Sequence, residues 1–499
     1  MATRDADLPA LRRVLKDLAA GASAGRSKLV STYYDTEDRA LARQGSVLRV
    51  RRHNGHYVQT VKSVGAPGST PLARGEWEDP IGGEHPDPLA GESGRFLTSD
   101  LVDRVAPVFR TEVTRLVTDL SPAPGTRIEA AIDRGTIRAP GKKPGERISE
   151  IELELKSGPI TALYDVALRL LAEAPVRLEW RSKAERGYRL AAGHPITQAV
   201  RADPLALDPT LSAEEALQRI GRACLDQILR NEAAIFAGRT DGVHQMRVAV
   251  RRLRAVLSAF KKMLPPEQRR WASGELRWLA DALGEARNLD VFEGAVVRPT
   301  REALPDVKAL RMLSAAARRR RQAAYAAARE AIRSPRYTAL LLGLMRWFDG
   351  RGWRDGAAAG VLERPIGDIA APLLDKLRRA AKRRARGFAA QSAEKRHKLR
   401  IALKKLRYTS ELLSGLHDAR AVERFTARLK RLQDDLGDAN DVRAAHDIVA
   451  ELTRGRDGAS IARAGKIVLA WHRRRLLARK SETREHLREL LAAEPFWRD

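Results

Sequence analysis

Two different periods divide the chain. From residue 212 onward, apolar residues recur every three or four positions among Ala, Leu and Arg. That spacing predicts helices over 212–237, 240–263, 267–283, 287–299, 306–332, 335–348, 366–389, 393–415, 419–436, 440–454, 456–478 and 480–492. Ser212-Ala213-Glu214-Glu215 is a capping run for the first of them. Before residue 200 the pattern differs. One helical segment, 8–20, precedes short stretches of period two broken by Gly, Pro and Asn. These predict strands at Leu29–Tyr34, Val47–Arg52, His56–Lys62, Gly75–Glu78, Val108–Leu120, Thr126–Ala131, Thr136–Arg138 and Ile148–Lys156. A helix over 160–173 and a last strand at Val176–Trp180 follow. The expected class is α+β multidomain: an N-terminal antiparallel β-barrel or tunnel, then an all-α domain. Residues 1–195 form the first domain, 196–211 a proline-bearing linker and 212–499 the second. The Gly-rich stretch Asp349–Gly360 splits the second into halves of about 212–348 and 361–499.

The helical part contains one stretch twice. Val243-His244-Gln245-Met246-Arg247-Val248-Ala249-Val250-Arg251-Arg252-Leu253-Arg254 returns as Arg396-His397-Lys398-Leu399-Arg400-Ile401-Ala402-Leu403-Lys404-Lys405-Leu406-Arg407. The offset is 153, and Leu279–Asn288 matches Leu432–Asp441 at the same offset. Such repetition sets architecture. On a helix, His244, Arg247, Arg251 and Arg254 fall within a strip roughly 80° wide. Met246, Val250, Leu253 and Leu257 form an apolar strip directly beside it. The cations therefore flank the buried face instead of opposing it. Stacked like charges repel unless an anion neutralises them. The stretch reads as half of a polyanion cradle and its repeat as the other half. A solvated basic face is the competing reading.

The strands carry charge at alternate positions. Arg49 and Arg51 share one face, as do Thr60 and Lys62; Arg74, Glu76 and Glu78; and Glu150, Glu152 and Glu154. A solvated outer face would also alternate. Basic and acidic strands in one sheet could instead line a tunnel, with cations on phosphates and carboxylates on a divalent cation.

Charge is unevenly placed. Residues 1–200 hold 30 Lys and Arg against 26 Asp and Glu, and the remainder holds 62 against 37 of a net +29 chain. A polyanion is expected to dock on the C-terminal part. Aromatic residues make up 5% of the chain, and none lies on the basic strips. That disfavours nucleic acid, which stacks its bases on aromatic platforms. Tyr408 is expected to point off its strip. The strip histidines could add a pH-dependent charge. One cysteine, Cys224, argues against a disulfide framework and fits a reducing cytoplasm. No apolar run is long enough to span a membrane.

The repeated stretches, with their two later Leu-Gly-x-x turns, resemble a CHAD domain, the conserved-histidine α-helical domain, over about Ser212 to Trp497. The resemblance implies two pseudo-symmetric four-helix bundles around a basic central cavity that binds inorganic polyphosphate. His244, Arg247, Arg251, Arg254, His397, Arg400, Lys404 and Arg407 are expected to line it, with Arg252, Lys405, Arg277 and Lys430 beside them. Residues 1 to about 195 resemble a CYTH domain, the triphosphate tunnel metalloenzyme fold. The marks are Tyr34-Asp35-Thr36, Leu48-Arg49-Val50-Arg51, Thr60-Val61-Lys62, Arg74-Gly75-Glu76-Trp77-Glu78, Asp133-Arg134-Gly135, Glu150–Lys156 and Ser182–Gly187. This resemblance assigns Arg49, Arg51, Lys62, Arg74, Lys183 and Arg186 to triphosphate, and Glu76, Glu150, Glu152 and Glu154 to metal (Mg²⁺ or Mn²⁺) and water. The order is that of CYTH–CHAD fusion proteins. The family's opening Glu-x-Glu-x-Lys strand is not found, so the tunnel is expected to lack its first strand, with one barrel edge unpaired. A metal-dependent triphosphatase and nonspecific nucleic-acid binding stay as alternatives. The expected location is the cytoplasm, with polyphosphate granules as a place of association.

Overall fold

The structure is a computed structural model, which describes residues 1–21, 25–64, 74–193, 198–354, 359–455 and 457–498. It divides into two compact units. The first comprises Met1–Ile196 with Ser334–Arg346, the second Thr197–Arg333 with Trp347–Asp499.

The first unit is built on one antiparallel sheet. Its strands are β1 (Arg26–Thr36), β2 (Ser46–His53), β3 (His56–Val64), β4 (Arg74–Ile81), β5 (Val105–Leu120), β6 (Arg127–Ala139) and β7 (Lys142–Ser157), in the order β4-β3-β2-β1-β5-β6-β7. Among the described residues β4 and β7 are not paired with each other, so the sheet is open and not a closed barrel. The β7 edge is covered in part: the backbone of Met1–Thr3 bonds to Ser149 and Ile151, and Ala2 also to Arg177. Two expected strands, Thr126–Ala131 and Thr136–Arg138, are one continuous β6, because β5 and β7 pair with it along its length. Val176–Trp180 forms no strand, since its bridge to Ala2 through Arg177 stays isolated.

Register decides what each face carries. Opposed residues of an antiparallel pair point the same way. Glu76 lies opposite Lys62 and Glu78 opposite Thr60. Thr60 faces Arg49, and Arg51 faces Ser31. Ser31 faces Thr111, Arg115 faces Asp133, and Asp133 faces Glu150. Every charged site residue expected on the described strands therefore shares one face. The other face is apolar along part of β6 and β7. Ile128, Ile132 and Ile151 pack there with Leu11 and Leu15 of α1 (Leu8–Asp17), Val166 and Leu170 of α2 (Ile160–Glu173), and Leu342 of the helix Pro335–Asp349. Thr338 of that helix donates to the Val176 carbonyl at 3.0 Å.

On the charged face lies α3 (Lys183–Ala192). Ser182 and Glu185 close a reciprocal capping box at its start. Gly187 lets it lie flat on the sheet, because a Cβ there would come within 2.0 Å of the Phe109 ring.

The second unit is helical. It holds α4 (Ala213–Arg230), α5 (Thr240–Ala259), α6 (Pro266–Ala282), α7 (Gly284–Val291), α8 (Lys308–Arg333), α9 (Ile366–Ala385), α10 (Ala393–Leu412), α11 (Ala419–Leu452), α12 (Gly458–Ala478) and α13 (Lys480–Ala492). The expected capping box at Ser212 and Glu215 opens α4. The helices read as 419–436 and 440–454 are one, α11. A glycine inside a helix costs about 1 kcal/mol, and the buried Leu432, Leu436 and Ala445 on either side of Gly437 hold the helix through it.

Truncating Leu170, fully buried between α2 and the sheet, removes contacts on which β6, β7 and α1 depend. We expect Leu170→Ala to destabilise the first unit by about 2–5 kcal/mol, read by hydrogen exchange as lost amide protection across β6, β7 and α2.

Candidate anion-binding sites

The two repeat helices, α5 and α10, pack against each other. Met246, Val250 and Leu253 of α5 are fully buried, as are their repeat partners Leu399, Leu403 and Leu406. With those residues inside, the basic strips are carried at the rim of the packed face, half-buried. Two contacts join the helices directly: Lys405 donates to Ser258 at 3.1 Å, and the Arg251 guanidinium lies 5.7 Å from the Tyr408 ring. Tyr408 therefore sits beneath a strip cation, where the sequence placed no aromatic.

The basic residues open into two cavities. One, of about 790 Å³, is lined by His244, Arg252, Arg407 and Lys430 with Arg201 and Arg239. The other, of about 310 Å³, is lined by His397 and Arg400 with Arg396, Arg443, Arg473 and Arg484. Arg251 couples electrostatically to His244 of the first and Arg400 of the second, Arg247 to His244, and Lys404 to Arg400. Arg254 has Arg277 and Asp281 as charged neighbours, and Lys405 has Arg384, Lys261 and Arg254. Arg277 and Lys430 are exposed.

These cations lack acidic partners. Among the described residues, Arg247, Arg251, Arg254, Arg287, Arg400 and Lys404 form no ion pair, whereas Arg407 is paired with Glu411 at 2.7 Å. His244 Nδ1, His397 Nδ1, Arg251 Nε and Arg400 Nε are buried without a hydrogen-bond partner. Arg247 finds a backbone acceptor, the Ala280 carbonyl. Burial and mutual repulsion both lower the pKa values of these groups. Burial, then Arg287 and Arg251, push His244 down to about 4. Burial, then Arg400 and Arg251, push Lys404 down to about 7. Arg247 falls to about 10, first through burial and then through Arg251 and Arg287. The histidine is thus neutral at pH 7 in the anion-free protein, and the lysine is the group poised to titrate.

Arg287 and Asp441 belong to this cluster and were not among the expected site residues. Both lie in the second repeated block, Leu279–Asn288 and Leu432–Asp441. That repetition was the signal pointing to them. Asp441 is a carboxylate that couples to Arg400, Lys404 and Arg287, and burial holds its pKa above the usual range despite Arg400 and Arg287.

The first unit presents a different balance. Lys183, at the first turn of α3, reaches Asp133 at 2.8 Å and Glu150 and Glu152 each at 2.5 Å. Arg115 binds Asp133 at 2.6 Å and Glu152 at 2.5 Å, and Arg186 binds Glu150 and Glu146, each at 2.7 Å. Burial disfavours the Glu152 carboxylate, but Lys183 and Arg115 outweigh it and hold its pKa at about 2. Further along the face, Lys62 pairs with Glu76 at 2.6 Å and Arg49 with Glu78 at 2.9 Å. Arg51 forms no ion pair among the described residues; burial, then Arg49 and Arg115, lower it to about 10. Glu154 sits at the far end of β7 with Lys156, 2.7 Å away. Arg74 begins β4, and its side chain lies outside the described residues. Asp133, Glu150 and Glu152 each bring an oxygen within 4.8 Å of the others. Such a set of hard oxygen donors fits Mg²⁺ or Mn²⁺. Arg115 and Asp133 complete this centre, and β6 had signalled Asp133 in its Asp-Arg-Gly run.

The family models match residues 3–188 as a CYTH domain and residues 219–450 as a CHAD domain. The chain joins a CYTH domain to a CHAD domain. An inorganic triphosphatase of Haemophilus influenzae is 33% identical over 170 residues, 34% of this chain and 47% of that protein. The chain thus spans about half the length of that relative. An uncharacterised protein of Mycobacterium tuberculosis is 27% identical over 446 residues, covering 83% of this chain and 80% of its own. The crystal structure of the CHAD domain from Ricinus communis superposes on 60% of this chain and 98% of its own, with 29% identity and a TM-score of 0.52. Among the described residues no helix is long and apolar enough to cross a membrane.

His244 should titrate with a midpoint near 4 by NMR in the anion-free protein. Replacing one depressing charge by Arg287→Gln should move that midpoint upward toward the ordinary histidine value.

Proposed function

We propose that the protein binds inorganic polyphosphate through the CHAD unit. The observation that carries this reading is the set of half-buried cations from both repeats, Arg247, Arg251, Arg254, Arg400 and Lys404, that form no ion pair among the described residues. Holding like charges together at reduced dielectric costs free energy, and a polyanion relieves it. Polyphosphate offers repeating negative charge and no bases. His244, Arg247, Arg251, Arg252, Arg254, Arg277, His397, Arg400, Lys404, Lys405, Arg407 and Lys430 carry the binding, with Arg287 added from the second repeated block. A cytoplasmic protein recruited to polyphosphate granules is consistent with this chemistry.

The CYTH unit supports a second activity, binding and hydrolysis of a triphosphate. The observation favouring it is the single sheet face that carries both Arg49, Arg51 and Lys62 and the Asp133, Glu150 and Glu152 set. The basic strands, with Arg74 and Arg186, hold the phosphates. Asp133, Glu150 and Glu152 hold the divalent cation, which would polarise a phosphoryl oxygen. Glu76 and Glu154 are its more distant acidic neighbours.

Calorimetric titration of the full chain with long-chain polyphosphate, with RNA of matched charge as competitor, tests the first reading. Binding that RNA does not displace is expected. Arg247→Glu with Arg400→Glu should weaken polyphosphate at least about 100-fold, close to 2.7 kcal/mol, and leave RNA binding unchanged. Equal displacement by RNA would reduce the strips to a solvated surface. The reading also fixes a pH dependence. The free-state pKa of Lys404 is about 7, and a bound anion raises it. Proton uptake then accompanies binding at any pH between the two values. Affinity should rise as pH falls from 9 toward 7 and level off below. Lys404→Arg, which stays charged, should flatten that rise.

A further inference from the structure

Asp133, Glu150 and Glu152 bring three negative charges together, and Lys183, Arg115 and Arg186 bring three positive ones. Arg186 is shared with Glu146, and the Met1 ammonium also couples to Glu150 and Glu152, so the three carboxylates are already engaged by the protein's own cations. Lys183 holds the special place among them. Arg115 touches two of the three carboxylates and Arg186 one, but the Lys183 ammonium lies within 2.8 Å of all three. A divalent cation held by the same oxygens would stand at about 2.0–2.6 Å from each. The two cations claim one volume. A divalent cation beside an ammonium that stayed in place would also face it as a like charge at contact distance.

We infer that Lys183 is an exchangeable internal cation: a divalent metal enters this centre when the Lys183 ammonium leaves it, and a bound phosphate chain draws the ammonium away. This rests on the reading that the CYTH face takes a phosphate anion, and it adds to that reading an order and a coupling. The geometry provides for such a move. The backbone at Lys183 is fixed by the capping box of Ser182 and Glu185, while its side chain is a flexible four-carbon stem with a compact charge. Arg49, Arg51 and Lys62 lie on the same face and are where the phosphates would sit. A phosphate chain, with negative charge on each phosphate, offers the ammonium anionic oxygens in place of the three carboxylates it gives up. Anion and metal then strengthen each other's binding by the same factor, as linkage requires. Without the anion, Lys183 keeps the carboxylates closed to metal.

Mn²⁺ binding to the full chain, followed by the EPR signal of the free ion, tests this without any turnover. The anion probe is sulfate, a tetrahedral anion that chelates Mn²⁺ weakly. Wild-type protein should bind Mn²⁺ weakly alone and about tenfold or more tightly with sulfate present. Lys183→Gln should bind Mn²⁺ tightly without sulfate and gain little from it. Arg115→Gln, which frees two oxygens instead of three, should gain less. Tight Mn²⁺ binding by wild-type protein that sulfate does not change would overturn the exchange while leaving the metal centre standing. Failure of wild-type protein and Lys183→Gln alike to bind Mn²⁺, with or without sulfate, would sink the metal reading and the exchange together. The wild-type comparison stands even if a variant folds poorly.

Discussion

Like charges held close at half burial are the constraint on which the helical unit turns. Packing Met246, Val250 and Leu253 of α5 against the core, and Leu399, Leu403 and Leu406 of α10 likewise, leaves the adjacent strips no freedom to swing into bulk water. The cations are pinned by the apolar residues beside them. Burial, and then their repulsion, push His244 and Lys404 well below their ordinary values. Marginal stability makes such stored repulsion significant. A protein keeps it where a ligand of opposite charge repays the cost.

The CYTH face solves the opposite problem. Its carboxylates and cations neutralise one another at 2.5–2.9 Å along the sheet. The helical cavities are thus poised for an anion by deficit, whereas the sheet face must rearrange internal pairs to take one. One polypeptide thus carries two electrostatic settings, one with unpaired cations and one self-satisfied.

Much of this was legible in the residues. Period two put Arg49 with Arg51 and Glu150 with Glu152, and the register confirmed that these sets share a face, because a strand's alternation survives any twist of the sheet. Helical spacing placed the strip cations together for the same reason. What could not be read was partnership. Arg115 lies on a strand whose pattern gave no sign that it would meet Asp133 and Glu152, and Tyr408 faces Arg251 through a packing angle that spacing does not encode. Gly437 looked like a break, yet tertiary contacts on both sides of it keep α11 whole. Closure of the sheet likewise depends on how its edges meet, which local alternation does not specify.

The helix Pro335–Asp349 has a consequence for how the molecule is made. Residues Ser334–Arg346 belong to the first unit, and Leu342 and Thr338 complete its core against α2 and Val176. During synthesis the sheet and its first helices leave the ribosome long before that segment does. The first unit must therefore wait, incomplete, while some 140 further residues are translated, with part of its apolar face exposed to the surrounding cell. A chain cut after residue 195 would carry the sheet and its first helices without Leu342 and Thr338 against them.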